Sequence, residues 1–95
     1  MYAVVAEVEP KSGSHDDFLH YYNKTIVPFA HSKTKVKEIK VLTDTGSKTV
    51  TIVRLYENKS DSEPLLKDEA YKSIVSKVAS FLDKSPKRRL MQVHS

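Results

Sequence analysis

Residues 49–56, with the sequence TVTIVRLY, constrain the fold of this chain more than any other feature. β-Branched and aromatic residues dominate the stretch and favour extended backbone. Successive side chains of a strand point to opposite faces of a sheet, so Val50 and Ile52 share one face while Val53 and Leu55 share the other. A sheet that is apolar on both faces needs two covering layers, and one layer of helices supplies only one of them.

Strand and helix signals alternate along the whole chain. Apolar residues at helical spacing, such as Phe18, Tyr22 and Ile26, mark the helices. The expected order is a strand at 2–8, a helix at 14–30, strands at 36–42 and 48–56, a helix at 67–82 and a strand at 88–94. This order predicts an α+β fold: a ferredoxin-like βαββαβ antiparallel sheet with two helices on one face. Residues 1–95 are expected to form a single domain.

Polar and proline residues predict where the helices begin and end. Ser14 is the expected N-cap of the first helix, with Asp17 in the capping-box position. Pro28 is expected to kink that helix or to end its regular part near Val27. After the central strands, Pro64 is expected to begin a short helical turn.

The sheet face that the helices leave uncovered is expected to need a partner. Val5 of the first strand adds to the apolar face of Val53 and Leu55, and the opposite face of Val50 and Ile52 is apolar as well, so either face needs a cover. The simplest partner is a second copy packed sheet against sheet, because a symmetric pair buries the same patch twice. The pattern therefore predicts a homodimer through the open sheet face.

Composition excludes several classes of protein. The chain has no cysteine, so neither a disulfide nor a thiolate contributes to its fold or chemistry. No apolar run approaches the roughly 20 residues that cross a bilayer, and residues 1–10 do not resemble a signal peptide, so we expect a cytoplasmic protein without membrane contact. The net charge of +4 is mild and is explained most simply by a solvated surface. The one concentrated basic patch, a weaker candidate for nucleic-acid contact, comprises Lys84, Lys87, Arg88 and Arg89.

Two longer stretches carry a family resemblance. Residues 4–19, VVAEVEPKSGSHDDFL, combine a strand, an acidic residue, a small turn and an acid-rich helix start. Residues 51–75 combine a strand ending in Tyr56-Glu57, a polar loop and a helix with Tyr71 near its start. In order and spacing the chain resembles the antibiotic-biosynthesis monooxygenase (ABM) domain family of the dimeric α+β barrel superfamily, in which Trp-Glu and Phe often occupy those positions.

The resemblance implies a homodimer whose two sheets form a barrel, with a pocket in each subunit between sheet and helices. Family members include cofactor-independent monooxygenases of polycyclic phenols and hydroquinones, haem-degrading enzymes and signal-degrading enzymes. The haem-degrading branch uses an Asn, a Trp and a His at positions that align with Ala6, Leu65 and Val75, so the resemblance argues against haem degradation. Many other members place a His where this chain has Ala70, so that general base is missing.

Three residues are predicted to be catalytic: His31, Tyr71 and Glu7. His31 ends the first helix, where the helix dipole favours its charged form, although a capping or surface role explains it more simply. Glu7 and Arg54 lie on strands that become neighbours in a ferredoxin-like order, which predicts a partly buried ion pair, either structural or clamping a substrate.

The aromatic residues and one arginine predict a binding site for a flat aromatic ligand. The predicted substrate-binding residues are Phe18, Tyr22, Phe29, Tyr56 and Arg54. Aromatic residues at helical spacing also fit a plain hydrophobic core. No histidines have the spacing of metal ligands, and no glycine-rich dinucleotide or phosphate motif occurs, so neither a metal nor a cofactor is expected.

Two functions fit these observations. The first is a cofactor-independent monooxygenase that acts on a small reduced aromatic of the quinol type, in which the deprotonated substrate itself passes an electron to oxygen. The alternative is a non-catalytic dimeric barrel protein that binds a ligand or takes part in a stress response, which Ala70 and the missing haem residues favour.

Overall fold

A four-stranded antiparallel sheet forms one layer of the molecule. The computed structural model describes residues 1–63 and 68–94. Its strands are β1 (Tyr2–Val8), β2 (Glu38–Thr43), β3 (Val50–Tyr56) and β4 (Lys87–Gln92). They lie side by side in the order β2-β3-β1-β4, so the first and third strands are the central pair. The predicted ferredoxin-like α+β arrangement is confirmed.

The first helical segment is continuous but contains a wider π-helical turn at its centre. It comprises α1 (His15–Tyr21), the π turn (Tyr22–Ile26) and α2 (Val27–Lys33). Near Val27, where Pro28 was expected to kink the helix or end its regular part, the structure has the irregular π turn just before Val27, and the helix then continues to Lys33. Proline lacks an N–H and its ring crowds the carbonyl four residues earlier; the π turn immediately before Pro28 spans that carbonyl and widens the helix there.

The second long helix, α3 (Glu69–Phe81), begins at a side-chain cap. Asp68 Oδ1 accepts hydrogen bonds from the backbone N–H groups of Ala70 (2.9 Å) and Tyr71 (3.2 Å), which satisfies two donors that a helix leaves unpaired. Ser14 is the N-cap residue of α1 as predicted, although its side chain makes no capping hydrogen bond. A short 3-10 turn occupies Lys59–Ser62, while the turn predicted at Pro64 lies outside the described residues.

The hydrophobic core lies between the helices and one face of the central strands. In the β1–β3 register Val8 pairs with Val50 and Ala6 with Ile52, and all four side chains are buried on the helix side. Phe18 of α1 is fully buried against them. The sheet face and the first helix therefore pack as the apolar pattern predicts.

The opposite face of the sheet is apolar at its centre and is not covered by any described element. Ala3 pairs with Leu55 and Val5 with Val53 on this face, and Met91 of β4 stands beside Ala3 with 47% of its surface exposed. We call this surface the open face.

Candidate functional site

Two adjoining cavities lie between the sheet and the helices. The smaller encloses about 130 Å³ beneath α3, and the larger encloses about 380 Å³ beside α2 and the 3-10 turn. The residues that border both cavities are Ile26, Arg54, Tyr71, Ile74 and Arg88. The larger volume falls within the range of about 300–1,000 Å³ that is usual for small-molecule sites.

Apolar and aromatic side chains form the walls of the smaller cavity. Phe18 and Tyr22 pack with ring centroids 5.9 Å apart at its inner end. Ile74 and Val78 of α3 face it from the opposite side, and no residue of α3 is itself buried. The side chains of α3 do not fill the space between this helix and the sheet. The described chain therefore has an apolar cavity at a place where the sequence alone also fits a filled hydrophobic core.

Tyr22 places a phenol in this apolar surrounding. Burial raises the pKa of Tyr22 above its ordinary value of 10.0; the charges of Arg54 and Arg88 act in the opposite direction, and Tyr56 and Tyr71 reinforce the rise. Tyr22 therefore keeps its proton at neutral pH. It can donate a hydrogen bond to a ligand oxygen, but it cannot act there as a base.

Two guanidinium groups meet the cavities from the sheet. Arg54 of β3 stands opposite Val4 and Arg88 of β4 opposite Ala6, so both lie on the helix side of β1. Arg54 Nε is buried and has no hydrogen-bond partner among the described residues. Neither guanidinium forms an ion pair within residues 1–63 and 68–94.

Most of the predicted site residues border the cavities. Arg54 and Tyr71 border both; Phe18 and Tyr22 border the smaller one, and Phe29 and Tyr56 the larger one. The structure thus brings the predicted aromatic residues and Arg54 together, while their roles in binding or catalysis stay predictions.

The predicted ion pair between Glu7 and Arg54 does not form. Glu7 pairs in register with Thr51 on the open face, whereas Arg54 lies on the helix side. The carboxylate of Glu7 instead lies 3.9 Å from Arg89 Nη2. Glu7 therefore stands on the other side of the sheet from the cavities.

His31 also lies away from the cavities. It is exposed on α2, and neither cavity is bordered by a histidine. Ala70, where the family resemblance suggests a missing histidine, is exposed in the first turn of α3. The described walls thus supply phenols and guanidiniums but no imidazole.

Arg88 is the site residue that sequence reasoning missed. The sequence places Arg88 in a basic patch with Lys84, Lys87 and Arg89. In the structure Arg88 lies on the helix side of the sheet, whereas Lys87 and Arg89 lie on the open face. The alternation of side chains along β4 is the signal that separates them. Lys84 lies 3.6 Å from the carboxylate of Glu9, and nucleic-acid contact by these basic residues stays a prediction.

The part of the chain that the structure describes has neither a metal-binding cluster nor a membrane-spanning helix. No three His, Asp or Glu side chains there come together as a possible metal site. None of the helices there is long and apolar enough to cross a membrane.

Known proteins resemble this chain in structure and not in sequence. No protein-family model matches it, and no curated protein matches it significantly. A monooxygenase from the gene ActVA-Orf6 of Streptomyces coelicolor, solved with the ligand nanaomycin D, superposes with a TM-score of 0.83 at 10% identity over 99% of this chain and 88% of that chain. An antibiotic biosynthesis monooxygenase superposes with a TM-score of 0.79 at 12% identity, over all of both chains.

This chain has the ABM fold. The resemblance that the sequence suggests is confirmed at that level. A conserved protein from Methanosarcina mazei Go1 shares the fold as well, with a TM-score of 0.81 at 14% identity over 96% of this chain and 90% of that chain. The TM-scores establish the ABM fold, and sequence identities this low leave the activity open.

Titration of Tyr22 tests the geometry of the site. We expect the Tyr22→Phe variant to lose a phenolate absorbance step that the wild-type protein shows above pH 10, because burial raises the pKa of this phenol. The unfolded chain releases the same proton near pH 10, so wild-type stability falls as the pH rises past that value, and the variant lacks this part of the fall. A lost step centred at about pH 10, where an exposed phenol titrates, would show that Tyr22 is not buried beside the cavity.

Proposed function

We propose that this ABM-fold chain is a cofactor-independent monooxygenase that oxidises a small reduced aromatic of the quinol type in the two adjoining cavities, with the ring beneath α3. The observation that carries the proposal is the apolar cavity bordered by the phenols of Tyr22 and Tyr71. A flat aromatic ring fits walls of this kind, and phenols and guanidiniums can orient its oxygen atoms. The fold neighbour solved with nanaomycin D supports a ligand site in this fold.

The chemistry needs only the substrate and oxygen. A hydroquinone with a free ring position plus O₂ gives a hydroxyquinone plus water: one oxygen atom forms a bond to ring carbon, the other leaves as water, and the substrate supplies all four electrons. Loss of a phenolic proton to bulk water makes the substrate a better electron donor. A dry cavity orients the ring and keeps water from the reacting carbon.

Within this scheme Tyr22 acts as a hydrogen-bond donor. Its raised pKa keeps it protonated, so it can hold a substrate oxygen without competing for the substrate proton. Tyr71 sits at the boundary of both cavities, in the capped first turn of α3, where the hydrogen bonds to Asp68 fix its backbone. We assign Tyr71 to positioning the ring between the two cavities.

A non-catalytic ligand-binding protein is the second candidate. The cavity walls carry no histidine, and Ala70 stands where the family often has one. A protein that only binds its ligand needs no base, so this observation favours the second candidate as strongly as the cavity favours the first.

Oxygen consumption with a panel of hydroquinones distinguishes the two candidates. We expect wild-type protein to raise oxygen uptake above the rate in buffer and to place one ¹⁸O atom from ¹⁸O₂ in the product. The Tyr22→Phe and Tyr71→Phe variants should each lower the rate about tenfold or more, because each loses a hydrogen bond to the substrate. Tyr21→Phe is the matched control: Tyr21 packs on Phe81 (ring centroids 5.7 Å apart) and borders neither cavity.

Three outcomes would contradict the monooxygenase proposal. No hydroquinone raising uptake above buffer would favour the binding protein. Peroxide formation without ¹⁸O in the product would show electron transfer without oxygenation. A loss of activity in His31→Ala alone would place the reacting group on exposed α2, outside the cavity.

We also propose that two copies pair through the open face. Its apolar centre, which includes Val53, Leu55 and Met91, has no cover in the described chain. The surrounding charges are of both signs, with Glu7 beside Arg89 near one end, so a two-fold pair can match acidic groups to basic ones. This proposal commits to a second copy as the partner.

Charge placed on the open face tests the pairing. Val53→Asp should convert a dimer into a monomer at micromolar concentration, because an unpaired carboxylate at the centre of an apolar interface is strongly unfavourable. Analytical ultracentrifugation measures the change, with Thr25→Asp on the exposed π turn as the charge-matched control. A wild-type monomer, or dimers in both variants, would contradict pairing through this face.

A further inference from the structure

Arg54 and Arg88 bring two positive charges to the boundary that the two cavities share. They reach it from the strands that flank β1, on the same side of the sheet. The phenol of Tyr22 borders the smaller cavity together with both guanidiniums, so all three groups surround one space.

No acidic group in the described chain neutralises these guanidiniums. None of the residues bordering the smaller cavity is acidic. Glu63 borders the larger one but is exposed and forms no ion pair with Arg54 or Arg88, and Arg89 lies beside Glu7 on the open face. Residues 64–67, with the sequence PLLK, and Ser95 add no acidic side chain.

Arg54 is the more constrained of the two groups. Its Nε is buried without a hydrogen-bond partner among the described residues, although the guanidinium is a strong donor whose fork matches a carboxylate. A buried donor without an acceptor is costly, and proteins rarely keep one without a use. An anionic ligand in the cavity supplies the missing acceptor.

We propose that the ligand of this cavity carries a carboxylate next to its phenolic oxygen, and that Arg54 and Arg88 bind that carboxylate while the apolar walls hold the ring. The inference rests on the proposed function only in placing an aromatic ring in the same cavity. It narrows the substrate class from quinols in general to aromatic carboxylic acids that bear a hydroxyl group. Arg54 and Arg88 are then specificity residues as well as binding residues.

Binding of a matched pair of fluorescent probes tests the proposal. 1-Hydroxy-2-naphthoate and 1-naphthol differ only in the carboxylate, and both are stable in air. We expect the wild-type protein to bind the naphthoate about tenfold to a hundredfold more tightly, as for a charge-assisted hydrogen bond in a dry site. Arg54→Met and Arg88→Met, measured separately, should each reduce that preference at least about tenfold, because they weaken naphthoate binding much more than 1-naphthol binding.

Two control variants separate geometry from net charge. Arg54→Lys keeps the charge but not the guanidinium fork, so it should retain part of the preference. Lys24→Met removes one charge from the exposed π turn, away from both cavities, and should leave the preference intact. Arg88 is exposed, so Arg88→Met keeps the test valid if Arg54→Met does not fold.

Decanoate as a third probe makes failure of the anion site distinguishable from failure of the aromatic site. Equal binding of naphthoate and naphthol, unaffected by either arginine variant, would overturn the carboxylate inference and leave the aromatic cavity in place. Binding of decanoate that depends on Arg54, without binding of either naphthalene, would support the anion site and overturn the aromatic function. A lack of binding by all three probes would overturn both.

Discussion

The structure depends on the packing of the central strand pair, β1 and β3, whose two faces are both apolar. On one face Ala6, Val8, Val50 and Ile52 anchor the first helical segment through Phe18. Burial of a side chain of this size contributes about 1.5–3 kcal/mol, which is a large fraction of the net stability of a small domain. The first helix packs tightly on this face, whereas no residue of α3 is buried. The cavity lies between α3 and the rest of the sheet surface.

The same two-sided apolar pattern limited what could be predicted from the sequence. Element order and the aromatic cluster around Phe18 and Tyr22 follow from periodicity alone. The sheet face that the helices cover does not, because both faces of β1 and β3 are apolar. The predicted pairing of Glu7 with Arg54 rests only on their strands being neighbours, and the observed register puts the two side chains on opposite sides.

The first helix shows a second limit. A π turn adds a residue to one turn and rotates everything after it by about 100° relative to a regular α-helix. The helix continues through Pro28 to Lys33, so the position of His31 could not be read from simple helical spacing. Phe29, in contrast, comes to border the larger cavity. Tertiary packing around a proline, and not local propensity, determines which of these side chains reaches the site.

Charge gives the cavity its chemical character. Tyr22 is held neutral by burial, and Arg54 and Arg88 remain without acidic partners in the described chain, so the site offers donors and positive charge to whatever enters it. In apolar surroundings such groups interact with a ligand more strongly than they would in water. The ABM fold supplies the space, and we propose that these three side chains supply the selectivity for an oxygen-rich, negatively charged aromatic.

We propose that the ligand binds in the space beneath α3. Nuclear Overhauser effects between 1-hydroxy-2-naphthoate and protein labelled in its aromatic and methyl groups test it most directly. The account predicts contacts from the ligand ring to Phe18, Tyr22 and Ile74, which border the smaller cavity. Contacts confined to Val53, Leu55 or Met91 would place the ligand on the open face and contradict the account.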